Sequence, residues 1–284
     1  MIPLIGYSDR LSGRPGDSIA FKVSSIAHEP FTAALLRSIS ADPNPMGPGI
    51  IERPVASSLD GNSYPSRRQP FFAGSYAIAD NDIASADNGF RLSALIWPTL
   101  PLKGAQAILS CGDISLMIDE SGALAGQAGD RRAVSSEPLH SRAWYRVSLT
   151  YDAADGTLTV SQEPLKHGHE AHGTVIAPGL TLSGKPIIGA MENATALRPG
   201  DAPHAIGAHF NGKIEAPAIH DGDNGVLAAW DFSQGISTTM VQDTDPNGLH
   251  AQLINLPARA MTGAAWNGDD MCFRYRPEHY GAIH

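Results

Sequence analysis

The chain has 284 residues, 42 % of them apolar, which allows one large all-β domain or two smaller ones with a substantial core. Its net charge is −9, with 29 Asp and Glu against 20 Lys and Arg, and its basic runs are no longer than the pairs Arg67-Arg68 and Arg131-Arg132. That balance argues against nucleic acid or an anionic membrane surface as a partner. Charged residues are only 17 %, while Gly (29) and Pro (21) are plentiful, the mix expected of many short strands joined by tight turns.

Residues 1–6 are apolar, but Asp9 and Arg10 end the run far short of a signal-peptide core, and no stretch approaches the length of a transmembrane helix. A cytoplasmic protein is expected, with Cys111 and Cys272 as free thiols. Residues 6–15 read as a loop or edge segment. Residues 18–24 alternate, with Ile19, Phe21 and Val23 on one face, and predict a strand. Residues 31–39 would permit a helix, but their length and the flanking Pro30 and Pro43 favour a strand. Residues 42–48 and 61–70 cannot be regular structure, because proline fixes φ and removes a donor.

From residue 75 strands follow quickly, at 75–79, 90–97, 105–110, 114–118 and from 122. The clearest signal is at 144–161. Tyr145, Val147, Leu149 and Tyr151 alternate with polar neighbours, Asp155-Gly156 supplies a turn, and Leu158 and Val160 resume the alternation. A lone hairpin with one apolar face is unstable in water, so a second sheet must cover it. Residues 166–173 read as a polar loop. Further strands are expected at 186–189, 206–211, 212–219, 226–232 and 249–254. No segment holds a helical period over three turns, and strands recur about every ten residues, as in an antiparallel β-sandwich.

Few residues point to chemistry. The string Lys166-His-Gly-His-Glu-Ala-His-Gly173 gathers His167, His169, Glu170 and His172, and such donors suit zinc, copper, nickel or iron. Catalytic metal sites draw ligands from separate elements and hold them with supporting hydrogen bonds, which a Gly-flanked loop does not provide, so the solvated-loop reading is preferred. Ser110 and Ser148 show no placed His and acid. Cys111 reads as a structural thiol. Asp113, Asp152, Asp155 and Asp243 fall in turns, where turn geometry explains them as well as calcium binding does. Trp144 and Trp230 could stack on a sugar ring, but most such tryptophans fill core or rim. No catalytic residue, cofactor contact or metal ligand is assigned in this chain.

Five pieces in order resemble a laminin-G-like, or concanavalin A-like, jelly roll: Trp97-Pro98 after an apolar strand, Gln106-Ala-Ile-Leu-Ser110, Leu116-Met-Ile-Asp119 with Gly122, the 144–151 strand, and Phe210-Asn-Gly-Lys-Ile214. A closer resemblance covers nearly the whole chain. Gly6-Tyr-Ser-Asp-Arg-Leu-Ser12, Arg14-Pro-Gly16, Phe21-Lys-Val-Ser-Ser25, Asp42-Pro-Asn-Pro45, Gln69-Pro70, Gly74-Ser-Tyr76, Asn255-Leu-Pro257, Met261-Thr-Gly263 and Pro277-Glu-His-Tyr-Gly-Ala-Ile-His284 are similar to the start of the large subunit of N,N-dimethylformamidase.

The resemblance implies a β-sandwich over 1–262, with N-terminal strands and Pro-rich loops at 1–88 and a laminin-G-like core at 89–262. It implies that 263–284 leads toward a catalytic domain, so Glu278, His279 and His284 read as linker packing. In that family a later domain carries a mononuclear iron centre held by Tyr, His and Glu side chains, none of which maps onto this chain. The expectation is a non-catalytic accessory and assembly module of an iron-dependent hydrolase that converts small formamides to amine and formate. Its expected partners are the catalytic domain and other subunits, with a homo-oligomer allowed, and its contact surface lies on the loops 42–48 and 61–70. The competing expectation is a lectin-like carbohydrate-binding module, on fold analogy alone.

Overall fold

The computed structural model describes residues 3–69, 74–193, 205–259 and 261–266, together with the backbone of 282–283. The chain divides into two compact units, 1–72 and 73–284.

The first unit contains β1 (Leu4–Ser8), β2 (Phe21–Ser25), β3 (Phe31–Thr32), β4 (Leu35–Ala41), β5 (Ile50–Val55) and β6 (Ser63–Tyr64). They form three separate two-stranded pairs, β1 with β2, β3 with β6 and β4 with β5. Residues 6–8, read as loop or edge, are therefore strand. The run 31–39 is broken into β3 and β4, and 61–70 holds only the two residues of β6. The apolar face expected of 18–24 is not covered here, since Ile19 and Phe21 are exposed. Among the described residues of this unit only Ser24 and Ser25 are buried. Gln69 anchors them, donating its backbone N–H to Ser24 Oγ (2.9 Å) and its carboxamide to Val23 O.

The second unit is built from β7 (Tyr76–Ala79), β8 (Ile83–Ala86), β9 (Gly89–Pro98), β10 (Gln106–Cys111), β11 (Ile114–Ile118), β12 (Ala123–Ala128), β13 (Arg131–Pro138), β14 (Tyr145–Asp152), β15 (Thr157–Pro164), β16 (Ala171–Ile176), β17 (Leu182–Gly184), β18 (Pro186–Ile188), β19 (Met191–Glu192), β20 (Ile206–Gly207), β21 (Gly212–Asp221), β22 (Val226–Asp231), β23 (Met240–Asp243), β24 (Ala251–Ile254) and β25 (Ala282–Ile283). It is an antiparallel, sandwich-like all-β fold, as the strand spacing predicts. One layer runs β13-β12-β11-β10-β18-β7-β24, the other β16-β15-β14-β9-β21-β22, and β23 joins β24 to β22. Among the described residues there is no α-helix, only a 3-10 turn at Pro101–Lys103.

Alternation placed the core correctly. Tyr145, Val147, Leu149, Leu158 and Val160 are all fully buried. Each such side chain contributes about 1.5–3 kcal/mol on removal from water. β14 sits between β15 and β9, paired from Tyr145↔Pro164 to Asp152↔Thr157 on one side and from Tyr145↔Ile96 to Asp152↔Gly89 on the other. The turn after it is fixed by its own carboxylates: Asp152 accepts the Ala154 N–H (2.8 Å), and Asp155 accepts the Thr157 N–H (3.0 Å).

Facing Leu149 across the layers is Gly126 of β12, where a Cβ would lie 2.1 Å from Leu149 Cδ1. At the rim the layers touch again, because a Cβ on Gly173 of β16 would lie 1.7 Å from the Val134 carbonyl oxygen of β13. That contact is backbone, which cannot move aside as a flexible side chain can. Gly173→Ala is expected to destabilise the fold by at least about 2 kcal/mol in urea unfolding, while Thr174→Ala next to it, on the exposed face, changes stability by about 0.5 kcal/mol or less.

Candidate functional site

The residues singled out by sequence do not converge. His167 and His169 are exposed between β15 and β16, and His172 stands outside on β16 in register with Ser161. Residues 171–173, read as loop, open β16. The segment is held from within: buried Gln162 donates Nε2 to His169 O (3.0 Å) and accepts the Ser135 hydroxyl at Oε1 (3.0 Å). His169 meets His140 edge to face, ring centroids 5.0 Å apart. Among the described residues no three His, Cys, Asp or Glu side chains gather as a metal site. The nearby Tyr145 hydroxyl accepts the His140 N–H (3.0 Å) and is closed over by Gly168, whose Cβ would lie 2.0 Å away. A Tyr, His and Glu iron centre therefore does not fit this corner.

The other candidates have structural partners. Cys111 is buried against the Ser183 and Gly184 carbonyls, and burial, then Asp82 and Asp113, pushes its thiol up to about 12. Ser110 donates to Ala190 O (3.0 Å). Asp243, buried, accepts the N–H groups of Ala229 (2.9 Å), Asp245 (3.0 Å) and Leu249 (2.8 Å), so its carboxylate ties the turn after β23 to β22. Trp230 is core and donates Nε1 to Leu249 O (2.8 Å). Trp97 lies under Lys213 Nζ, 4.8 Å from the ring centroid. Cys272, Glu278, His279 and His284 lie outside the described residues.

The feature sequence reasoning missed is a corner built on Gln106. This side chain is buried at the head of β10. Its Nε2 donates to Leu100 O (3.0 Å) and Gly104 O (3.3 Å), and its Oε1 accepts the Asn211 N–H (2.9 Å). One carboxamide thus joins two loops more than a hundred residues apart. On one side of the 208–212 loop lies an open cavity of about 290 Å³, lined by Gly74, Lys103, Gly104, Ala105, Ala208 and His209. Gly74 leaves room for the imidazole, since a Cβ there would be 2.1 Å from the His209 ring, and Tyr76 flanks it at 5.8 Å between centroids. Ala208 is held left-handed, φ 51°. Burial, and then the Lys103 ammonium, lowers the His209 pKa and so favours the neutral ring. On the other side is a cavity of about 200 Å³ lined by Ser75, Phe210, Asn211, Ile214 and Pro257 among others. The Ser75 hydroxyl donates to Asn255 O (2.9 Å) and is not free to act as a nucleophile. The corner can hold a small polar molecule, but among the described residues it has no nucleophile paired with a base.

Beside it, the chain beyond β24 is strapped to β21. Lys213 donates to Thr262 Oγ1 (2.7 Å) and Thr262 O (3.1 Å), and Glu215 accepts the Ala264 N–H (2.7 Å). Burial lowers the Lys213 pKa and raises that of Glu215, which Ala264 opposes and Asp231 reinforces. Ile214 and Glu215 also pair with β25. They are open to it because β21 bulges at Ala216, φ 47°, and pairs with β22 only from Ala218 onward.

The chain is 33 % identical to the N,N-dimethylformamidase beta subunit of Paracoccus aminophilus and 31 % identical to that of an Alcaligenes species, in each case over 99 % of this chain. It spans 43 % of the length of these curated relatives, and the name they carry is beta subunit rather than large subunit. No family model matches. Among solved structures, a Bacteroides ovatus protein named for carbohydrate binding aligns over 72 % of this chain and 65 % of its own, at 14 % identity and a TM-score of 0.43. A pentraxin of Limulus polyphemus aligns over 54 % and 71 %, at 14 % identity and 0.39. Likeness at that level assigns no ligand to this chain.

Two outcomes test this description. Gln106→Ala is expected to cost about 2–3 kcal/mol, since it strands three backbone groups, and to speed protease cleavage within residues 99–105 and 208–212. In a Cys272→Ser background at pH 8, Cys111 is expected to resist iodoacetamide until denaturant is added, with alkylation read by peptide mass spectrometry.

Proposed function

We propose that the chain is a non-catalytic β-sandwich module that serves assembly in an amide hydrolase resembling N,N-dimethylformamidase. The observation that carries this is 33 % identity sustained over 99 % of the chain, through loops and termini where a sandwich fold by itself does not dictate sequence. The relatives' name as a subunit supports an assembly with unlike partners. In this reading the chain spans less than half of such a protein. The iron centre and the residues that cleave small formamides belong to a catalytic portion to which this chain attaches. The module holds subunits together and shapes access to that portion. The polar corner around Gln106 and the strap on β21 fit an attachment role, because both fix loops by side chain to backbone bonds at one end of the sandwich. Cys111, buried and protonated, fits a reducing, cytoplasmic setting.

The purified chain supplied with iron is expected to show no hydrolysis of dimethylformamide. Multiple turnovers that vanish on chelation would overturn the non-catalytic role. A tagged chain expressed in its own cells is expected to bring down formamide-hydrolysing activity, and its recovery without any such activity would overturn the assembly role.

A further inference from the structure

The chain is acidic overall, with a net charge of −9, yet the cavity of about 290 Å³ beside the 208–212 loop has a cationic lining. Of the residues around it, Gly74, Lys103, Gly104, Ala105, Ala208 and His209, the ionisable ones are Lys103 and His209. Among the described residues the Lys103 ammonium has no salt bridge and no hydrogen bond, and neither ring nitrogen of His209 has a hydrogen-bond partner. The charged side chain that acts on the His209 ring is Lys103, with no carboxylate beside it to offset the ammonium. Two donors of one electrostatic sense thus face a space that the chain does not fill.

Both donors stand on loops that one buried side chain holds at a set separation. Gln106 binds Leu100 O and Gly104 O on the Lys103 side and the Asn211 N–H on the His209 side. Ala107 adds a bond from its N–H to Ala208 O (2.7 Å), next to His209. The imidazole lies against Gly74, where a side chain would displace it, and Tyr76 flanks it. Donors fixed before a ligand arrives lose little freedom when it binds. An imidazole offers an N–H whether neutral or protonated, so His209 donates in either state. An ammonium from one loop and an imidazole N–H from the other match the two oxygens of a carboxylate. A phosphate dianion calls for more donors and more positive charge than these two groups supply. Ala105 and Ala208 leave apolar wall for a short carbon chain.

We infer that this cavity binds a small carboxylate, with Lys103 and His209 each donating to an oxygen and the carbon chain lying over Ala105 and Ala208. The inference goes beyond the assembly reading and stands whichever way that reading is decided. The full chain, isotopically labelled at histidine, tests it by magnetic resonance at neutral pH and constant ionic strength, with acetate as the probe. The His209 imidazole signal is identified by its loss in His209→Gln. Acetate is expected to move that signal saturably, with millimolar affinity. Lys103→Gln is expected to weaken acetate at least about ten-fold, while Lys103→Arg, which keeps the charge, stays within about three-fold of wild type. Acetamide, which has the shape without the charge, is expected to bind at least about ten-fold more weakly than acetate. Lys103 is exposed, so its variants are expected to unfold at the wild-type temperature. Titration calorimetry of wild type and the Lys103 variants reads the same affinities without any assignment. A His209 signal that never saturates, acetamide that binds as well as acetate, Lys103→Gln that binds like wild type, or inorganic phosphate that binds more tightly than acetate would each overturn the inference.

Discussion

The sandwich depends on one close contact, the tip of Leu149 against the backbone of Gly126. A side chain on β12 at that position would have to displace the tip of Leu149, which is fully buried among the inward residues of β14. With glycine there, Leu149 sets the interlayer spacing for Tyr145, Val147 and Tyr151 on the same strand. Because β14 is hydrogen-bonded to both β15 and β9, that spacing passes along the second layer to β21 without further instruction. The same economy recurs at the rim, where Gly173 lets β16 meet β13. Cores packed this densely do not deform gradually, so the loops at the ends of these strands inherit fixed positions.

The first unit obeys different physics. Its three strand pairs share no sheet, and among the described residues the buried ones are two serines rather than a cluster of aliphatic side chains. A two-stranded pair has at most marginal stability in water, and these pairs share no apolar core among the described residues. The sequence of this unit is therefore not a weak version of the sandwich's. Its described hydrophobic residues are mostly left exposed, while the sandwich buries its own.

How much of this was legible in sequence follows from the same difference. Strict alternation showed β14 and β15 because Tyr145, Val147, Leu149, Tyr151, Leu158 and Val160 face inward between polar neighbours. β13 escaped notice because its inward positions, Ala133 and Ser135, are small or polar, and Ser135 is inside for its bond to Gln162. β16 was hidden by His172 and Gly173, a polar outward residue and a rim contact that only the partner strand explains. In the first unit alternation located β2 and part of β4, but period alone says which residues share a face and not whether anything covers it. The corner around Gln106 was illegible for another reason. Its partners lie at Leu100, Gly104 and Asn211, and a glutamine that opens a strand has the same appearance whether it faces solvent or holds two loops. The strap on β21 shares that difficulty: Lys213 and Glu215 read as ordinary outward charges until Thr262 and Ala264 are set beside them.

The outer face of the second layer offers little to a partner. Across five strands a single row presents Ala218, Ser93, Ser148, Ser161 and His172 in register. The next row presents His220, Arg91, Thr150, Thr159 and Thr174, with Thr159 and Thr174 bonded to each other through their hydroxyls (3.0 Å). Small hydroxyl side chains on a flat sheet are well hydrated and offer little apolar area to a partner. Sugar-binding faces differ from it by concentrating aromatic and amide side chains at one concavity. Here Trp230 is inside the core, and Trp97 is covered by Lys213. The broad face is thus suited to water, and the aliphatic residues the chain does expose lie mostly on the small unit, whose strands have no core to return them to.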